Sequence, residues 1–276
     1  MTPAIRLGPL VLPTELALLI AAGVVGLLAA KLFNRDRDRA AHLSTVLWRA
    51  LIIGLLVARL SFVWRYRDHY LPDPIKMLDL RDGGWIGLAG LAAAWAYAAI
   101  AVLRRHAPRV ALLGALALAS AAWLGGGRWL APTPQAQPEL AALAVNNMDG
   151  APATMSAFHG KPTVINLWAS WCPPCRREMP AFAAAQAANP DVNFVFLNQA
   201  EAAQDVAQFL DKHAPALRNV LIDPAGEASR KFSNRGLPAT LFLDAEGRLV
   251  DLRVGELSTA SLAQRLESIR AADSGD

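Results

Sequence analysis

The hydrophobic pattern divides the chain into two halves. Up to about residue 130, four long apolar runs alternate with charged loops, and they cover approximately residues 11–33, 46–64, 85–103 and 110–130. A helix needs about 20 apolar residues to cross a bilayer. Because four such runs follow one another, we predict an all-α membrane segment with four spans over residues 1–130, in preference to a set of core helices from a soluble protein.

The remaining sequence predicts an α/β domain over residues 139–276, because short apolar runs alternate with helical patterns. Predicted strands cover residues 140–145, 153–155, 163–168, 192–197, 220–222, 240–243 and 249–254. Predicted helices cover residues 173–188, 201–213, the vicinity of 230–232, and 258–271. This order predicts a mixed central sheet flanked by helices. A Pro-rich polar spacer, residues 131–138, is expected to form an extended linker between the halves.

Basic residues are concentrated in the loops between the apolar runs. The loops after the first and third runs contain Lys31, Arg35, Arg37 and Arg39, and then Arg104, Arg105 and Arg109. Because positive loops favour the cytoplasmic side of a membrane, we expect both termini outside, although the second loop is basic too. The net charge of +4 is therefore read as an orientation signal. The sequence has no interleaved basic and aromatic patch, so nucleic-acid binding is not predicted.

The chain has two cysteines, Cys172 and Cys175, at the end of a predicted strand and the start of a predicted helix. This placement suits a dithiol that cycles between reduced and disulfide forms, because a helix N-terminus stabilises the attacking thiolate. No second CxxC and no pair of histidines at ligand spacing accompanies them. A zinc site is therefore not expected.

Two motifs carry a resemblance to a known family. Residues 166–180 read NLWASWCPPCRREMP, and residues 236–240 read GLPAT. Together they resemble the membrane-tethered thioredoxin-like family of TlpA, ResA and CcmG, over about residues 139–272. The resemblance implies a thioredoxin-like fold, a cis peptide bond before Pro238, and thiol–disulfide exchange that uses the cysteine pair and no other cofactor.

Within this family, position in the motif implies a role for each residue. Cys172, at the exposed helix start, is expected to be the attacking thiolate, and Cys175, one turn into the helix, the resolving thiol. Pro173 and Pro174 have no N–H groups to stabilise the Cys172 thiolate. We therefore expect a more reducing pair than a loop that contains histidine would give.

Besides Pro173 and Pro174, three further residues are expected to meet the substrate. Leu237 and Pro238 lie in the loop that faces the cysteines in the family, where backbone groups accept the substrate chain as an added strand. Trp171 is expected to form an apolar rim beside the sulfurs, although a packed surface aromatic residue would give the same sequence.

An acidic residue near the dithiol is the expected proton partner. Thioredoxin has a buried carboxylate six residues before the first cysteine, where this chain has Asn166, which cannot take a proton. Glu178 lies three residues beyond Cys175 on the same predicted helix. In the ResA-like branch a glutamate at this spacing is functionally important, so Glu178 is the candidate to exchange a proton with Cys175. The alternative is a solvated acid favoured by the helix dipole.

The first half has a resemblance of its own. Around Arg59, a charge within the second apolar run, residues 57–63 and 82–85 resemble bacterial prolipoprotein diacylglyceryl transferase, and the likeness covers about residues 5–100. Leu88 stands where that family has a catalytic histidine, and the later catalytic spans are replaced. We therefore expect a truncated, degenerate relative that serves as an anchor or docking surface.

These observations predict a protein-disulfide reductase anchored in the inner membrane by several spans, with its thioredoxin-like domain in the periplasm. The expected substrates are disulfides of selected extracytoplasmic proteins, in cytochrome c maturation or more generally. The apolar runs contain no cysteine, so a separate membrane electron donor of the DsbD or CcdA type is implied. The alternatives are a thiol oxidase or isomerase, a diacylglyceryl transferase-like protein, and a non-catalytic scaffold.

Overall fold

The computed structural model describes residues 4–7, 10–33, 37–79, 82–104, 108–130, 135–136, 140, 142–214, 216–232 and 236–273. It contains two compact units, one helical and one α/β. Each unit is described by itself. Most of the predicted linker, residues 131–138, lies outside the described residues, as do Arg35 and Arg105 of the basic loops.

The helical unit begins with a short antiparallel hairpin and continues as helices. The hairpin consists of β1 (Ala4–Leu7) and β2 (Leu10–Pro13). The helices are α1 (Thr14–Phe33), α2 (Arg37–Arg65), the short α3 (Arg67–Tyr70), α4 (Gly87–Leu103) and α5 (Arg109–Leu130), with a 3₁₀ turn at Pro74–Leu78. Each predicted apolar run therefore coincides with a helix, and α2 extends nine residues further toward the N-terminus than its run, because the polar residues there are helical as well.

Two described segments are long and apolar enough to cross a membrane, Ala41–Arg65 and Arg109–Trp129. Leu18–Ala29 and Gly87–Leu103 are shorter apolar segments. Helix length and composition thus support two spans in the described residues, and a four-span topology stays a prediction.

Small residues bring α2 and α4 into close contact. A Cβ atom at Gly90 would lie 2.5 Å from the carbonyl oxygen of Gly54 and 2.9 Å from the Cβ of Ala58. A Cβ atom at Gly54 would in turn lie 2.9 Å from the carbonyl oxygen of Gly90. Glycine is therefore required on both helices at the point where their backbones meet, as in small-residue crossings of membrane helices.

Arg59 is buried within the helical unit, at 7% exposure. Its Nη1 donates to the carbonyl oxygen of Gly84 at 2.9 Å, and its Nε and Nη2 donate to that of Met77 at 3.2 and 2.9 Å. Its guanidinium also lies 5.7 Å from the ring centroids of Phe62 and Tyr70. The charge within the second apolar run thus holds the segment that precedes α4 against α2.

The α/β unit is built on a mixed sheet whose order is β3-β10-β9-β6-β7-β8-β4-β5. Its strands are β3 (Gln135–Ala136), β4 (Val145–Asn147), β5 (Pro152–Ala153), β6 (Thr163–Trp168), β7 (Asn193–Gln199), β8 (Val220–Asp223), β9 (Ala239–Leu243) and β10 (Arg248–Val254). Strands β6, β7 and β8 are parallel, and the remaining pairings are antiparallel. This confirms the predicted thioredoxin-like domain with a mixed central sheet.

Helices cover both faces of the sheet, so the central strand β6 is buried along its whole length. They are α6 (Pro173–Ala188), α7 (Ala203–His213), α8 (Glu227–Phe232) and α9 (Thr259–Asp273). Val164 and Trp168 of β6 enter the core that contains the cysteines, whereas Ile165 and Leu167 enter the core on the opposite face. Because β6 is packed on both faces, the loop that follows it and leads to the cysteines starts from a firmly held strand.

The first two predicted strands of this unit were misplaced. Strand β4 begins at Val145, whereas Leu140 and Leu143 are buried and are linked by a turn hydrogen bond of 3.3 Å from the Leu143 N–H to the Leu140 carbonyl. Met155, predicted to lie in a strand, begins a 3₁₀ turn. An apolar residue can fill a core from outside a strand as well as from within one, so apolar character alone gave the wrong strand boundaries.

The close approach of α2 and α4 gives a test of the helical unit. Replacing Gly90 with Ala should destabilise this unit by about 1–3 kcal/mol, because the added methyl group would overlap the Gly54 carbonyl. Thermal unfolding in detergent measures the effect. The matched control is Gly23→Ala, since a Cβ atom at that helical glycine meets nothing within 4 Å. Equal melting temperatures for the two variants would contradict the predicted contact.

Candidate active site

The two cysteines lie where β6 passes into α6. Cys172 is the N-cap residue of α6 in an extended conformation, and Pro173 and Pro174 occupy the first two helical positions. Proline is favoured at a helix start because its φ angle suits the helix and its missing N–H would have no intrahelical partner. Cys172 and Cys175 are joined as a disulfide, and the Cys175 N–H points at the Cys172 Sγ at 3.3 Å. The sequence predicts a dithiol at this position.

Exposure at the disulfide differs from what the sequence suggested. Cys172 was expected at an exposed helix start, but it is 3% exposed, and Cys175 is fully buried. Both belong to the core cluster that also contains Trp168 and Met179, and this packing covers the sulfurs. Trp171, just before Cys172, is 68% exposed. The surface next to the disulfide is therefore an aromatic ring that a partner can cover.

The loop before β9 lies against the same core. The peptide bond between Leu237 and Pro238 is cis, as expected, and Leu237 packs on the cluster that contains both cysteines. Pro238 has no N–H, and its carbonyl accepts a hydrogen bond of 2.9 Å from Gly255. Within the described residues, the N–H and carbonyl of Leu237 have no hydrogen-bond partner. These groups, rather than those of Pro238, are available to an added strand.

Glu178 is buried rather than solvated, which excludes the surface alternative. It is 1% exposed, and each of its carboxyl oxygens accepts one hydrogen bond. Asn166 Nδ2 of β6 donates to Oε1 at 2.8 Å, and the Leu257 N–H, in the loop before α9, donates to Oε2 at 3.0 Å. Since Cys175 lies three residues earlier on α6, the cysteine and the carboxyl share one face of the helix.

Burial changes the acidity of this carboxyl group. Desolvation raises the pKa of Glu178 to about 8, although the hydrogen bonds from Asn166 and Leu257 and the charge of Arg177 act in the opposite direction. The nearby Glu256 raises it further. A carboxyl group with a pKa in the thiol range can hold a proton at neutral pH and exchange it with a cysteine.

Asn166 links Glu178 to the sheet. Its Nδ2 also contacts the Thr240 Oγ1 of β9 at 3.2 Å, while its Oδ1 has no hydrogen-bond partner in the described structure. The position that holds a carboxylate in thioredoxin therefore holds an amide that supports the carboxyl on the neighbouring helix. The acid is displaced from the strand to α6, on the side of Cys175.

A second carboxylate, missed by the sequence analysis, positions the segment before the dithiol. Glu201 accepts hydrogen bonds from the N–H of Ser170 at 2.7 Å, from the Ser170 hydroxyl, and from Asn198 Nδ2 at 2.6 Å. These bonds join the loop after β6 to the end of β7. In the sequence, Glu201 is one acid at the start of a predicted helix, and no local pattern indicates its partner 31 residues earlier.

Comparison with known proteins agrees with this geometry. A family model described as Redoxin matches residues 132–266. The soluble secreted antigen MPT53 of Mycobacterium tuberculosis is 31% identical over 134 residues, which span 49% of this chain and 77% of that protein. The chain belongs to the redoxin family. Its redoxin domain contains the disulfide, Glu178 and the cis-proline loop described above.

Two further similarities lie in the same half of the chain. The thiol:disulfide interchange protein CycY of Rhizobium leguminosarum bv. viciae is 32% identical over 113 residues, which span 41% of this chain and 60% of that protein. The solved structure of a secreted M. tuberculosis disulfide oxidoreductase homologous to E. coli DsbE has a TM-score of 0.43 at 26% identity, over 48% of this chain and 99% of that one. On its similarity to sequence relatives that are named as thiol–disulfide oxidoreductases, the redoxin domain is a thiol–disulfide oxidoreductase.

The buried carboxyl gives a pH-dependent stability. Below about pH 4.5 Glu178 is protonated in both the folded and unfolded states, and between about 4.5 and 8 the unfolded state alone releases the proton. The free energy of unfolding should therefore fall with rising pH in that window, by up to about 1.4 kcal/mol per pH unit. Glu178→Gln should remove this slope, as measured by urea denaturation at a series of pH values.

The matched control is Glu246→Gln, which removes a carboxylate that is 57% exposed. Its slope should equal that of the wild-type protein. If Glu178→Gln keeps the wild-type slope, the carboxyl does not hold a proton in this window.

Proposed function

We propose that the redoxin domain reduces disulfides of selected extracytoplasmic proteins, with Cys172 as the attacking thiolate and Cys175 as the resolving thiol. The observation that carries this proposal is the buried Glu178 carboxyl one helical turn beyond Cys175, since it adds a proton acceptor and donor to an intact CxxC pair. The similarity to named thiol–disulfide oxidoreductases supports the same chemistry.

The reaction has two exchange steps. The Cys172 thiolate attacks one sulfur of the substrate disulfide, so that a mixed disulfide forms and the other substrate sulfur leaves as a thiolate. Cys175 then attacks the Cys172 sulfur, which releases the second substrate thiolate and leaves the Cys172–Cys175 disulfide. Two electrons pass from the protein dithiol to the substrate, and the two protons of the dithiol pass to the substrate thiolates directly or through solvent.

Glu178 would serve the second step. Cys175 is fully buried, so its thiol has no direct route for proton loss to bulk water. The carboxylate form of Glu178 can accept that proton while its other hydrogen bonds, from Asn166 and Leu257, are kept. The pKa of the carboxyl is raised to about 8, which is close to the ordinary pKa of a cysteine thiol, about 8.5.

The substrate chain would lie beside the Leu237–Pro238 loop. The unpaired N–H and carbonyl of Leu237 can pair with an extended segment, as in recognition by strand addition. The exposed ring of Trp171 and the rings of Pro173 and Pro174 would form the apolar surface around the reacting sulfur.

Turnover as a reductase requires a source of electrons. We propose a membrane dithiol donor of the DsbD or CcdA type, because an oxidising compartment supplies no reductant and the helical half has no cysteine. The helical half would then act as a multi-pass anchor in the inner membrane, with the redoxin domain of residues 139–276 in the periplasm. The segments Ala41–Arg65 and Arg109–Trp129 support such an anchor.

The role of an anchor also fits the resemblance of residues 5–100 to prolipoprotein diacylglyceryl transferase. Arg59, the charged residue of that likeness, contacts the backbone of Met77 and Gly84 and two aromatic rings. Leu88 stands in place of the catalytic histidine and is exposed at 68%. We therefore propose that this segment has kept the fold of a relative without its lipid chemistry.

A trapping experiment tests the proposed exchange. The variant Cys175→Ala, expressed in the native membrane, should accumulate disulfide-linked partners on Cys172, because the resolving thiol is missing. Cys172→Ala should accumulate at least tenfold less. Non-reducing electrophoresis and mass spectrometry identify the partners, and an extracytoplasmic protein with a reducible disulfide is the expected result.

The opposite pattern, with partners trapped on Cys175, would contradict the assigned roles of the two cysteines. A complete absence of trapped partners would favour a scaffold without exchange activity.

A further inference from the structure

A shallow groove of about 360 Å³ lies beside the N-terminal part of α6. It is lined by Pro173, Arg176, Arg177, Met179, Phe209 and His213. Pro173 directly follows Cys172, so the groove begins in the first turn of α6, next to the cysteine that is proposed to attack the substrate. The groove therefore borders the path by which any partner chain reaches the dithiol.

Aromatic packing forms the floor of this groove. The Phe209 ring lies 5.5 Å from the ring of the buried Trp168 and 4.9 Å from that of His213, measured between centroids. The guanidinium of Arg176 lies over the same Phe209 ring, at 5.6 Å from its centroid. This stacking holds the arginine at the groove surface without neutralising its charge.

The charge of the groove is positive. The Arg177 guanidinium pairs with Glu256 at 2.6 Å, whereas the Arg176 guanidinium has no hydrogen bond or ion pair with any residue that the structure describes. The six residues that line the groove include no carboxylate, and Lys212 directly precedes His213 on α7. An exposed guanidinium fixed over an aromatic ring is suited to a carboxylate, with which it can form two parallel hydrogen bonds.

We propose that this groove binds an acidic segment of the substrate polypeptide, next to the substrate cysteine. Arg176 is four residues after Cys172 on the helix, which corresponds to about 6 Å, and its side chain adds a similar reach. An extended chain advances about 3.3 Å per residue, so the aspartate or glutamate should lie about two to four residues from the cysteine. This inference rests on the proposed reductase function and specifies its substrate class.

Single-turnover kinetics on synthetic peptides test the inference. Decapeptides with one cysteine, blocked as the mixed disulfide with thionitrobenzoate, carry either aspartate or asparagine three residues before and after the cysteine. The reduced full-length protein in detergent should release thionitrobenzoate from the aspartate peptide about three- to tenfold faster at low ionic strength. This ratio should decline in high salt, because the groove is open to solvent.

Paired variants assign the effect to the groove. Arg176→Gln should bring the ratio of the release rates for the aspartate and asparagine peptides close to one. Arg218→Gln removes the same charge from a position near the C-terminal end of α6, and it should keep the wild-type ratio. Arg218 is exposed, and its backbone N–H contacts Gln186 near the end of that helix. Equal loss in both variants, or an unchanged ratio in Arg176→Gln, would overturn the acidic-segment proposal.

The outcomes separate this inference from the function on which it depends. If the wild-type protein reduces both peptides equally, the reductase function stands and the proposed groove specificity falls. If it reduces neither peptide while a small dithiol reduces both, the reductase function falls, and the groove inference falls with it.

Discussion

The burial of the Glu178 carboxyl is the constraint on which the redoxin site depends. This group accepts hydrogen bonds from Asn166 of β6 and from the Leu257 N–H before α9, so it joins the dithiol helix to the central strand and to the last loop of the domain. A buried carboxylate without partners would be very costly. The two donors lower the cost of the charged form, but burial still raises the pKa of the carboxyl to about 8, so it holds its proton at neutral pH.

The same arrangement fits the role that we propose for the fully buried Cys175 as the resolving thiol. Cys175 packs among Trp168, Met179 and Phe182, which exclude water from its sulfur. Exclusion of water protects the mixed disulfide but removes solvent as a proton acceptor. In the proposed mechanism the carboxyl on the same helix face replaces solvent in that role, and Glu201 holds the preceding loop through Ser170.

Local patterns predicted much of this fold and part of its site. The strand before the CxxC, the helix from Pro173 and the strands on either side of Gly247 were predicted from the order of short apolar runs and helical patterns. The surface or interior position of Glu178 could not be predicted, because it depends on Leu257, 79 residues later. Glu201 was missed for the same reason, and the first strand was misplaced because Leu140 is a helical residue that enters the core outside any strand. The four-span topology, by contrast, stays a prediction, because it depends on the surrounding membrane as well as on helix formation.

The most direct test of the account is the pH dependence of the resolving step. A mixed disulfide on Cys172 is formed with a peptide, and its release by Cys175 is followed from pH 5 to 10 in the wild-type protein and in Glu178→Gln. The account predicts that the wild-type rate rises with an inflection near the raised pKa of Glu178, about 8, and that the variant is slower at neutral pH and lacks this inflection. Superimposable profiles for the two proteins would contradict it.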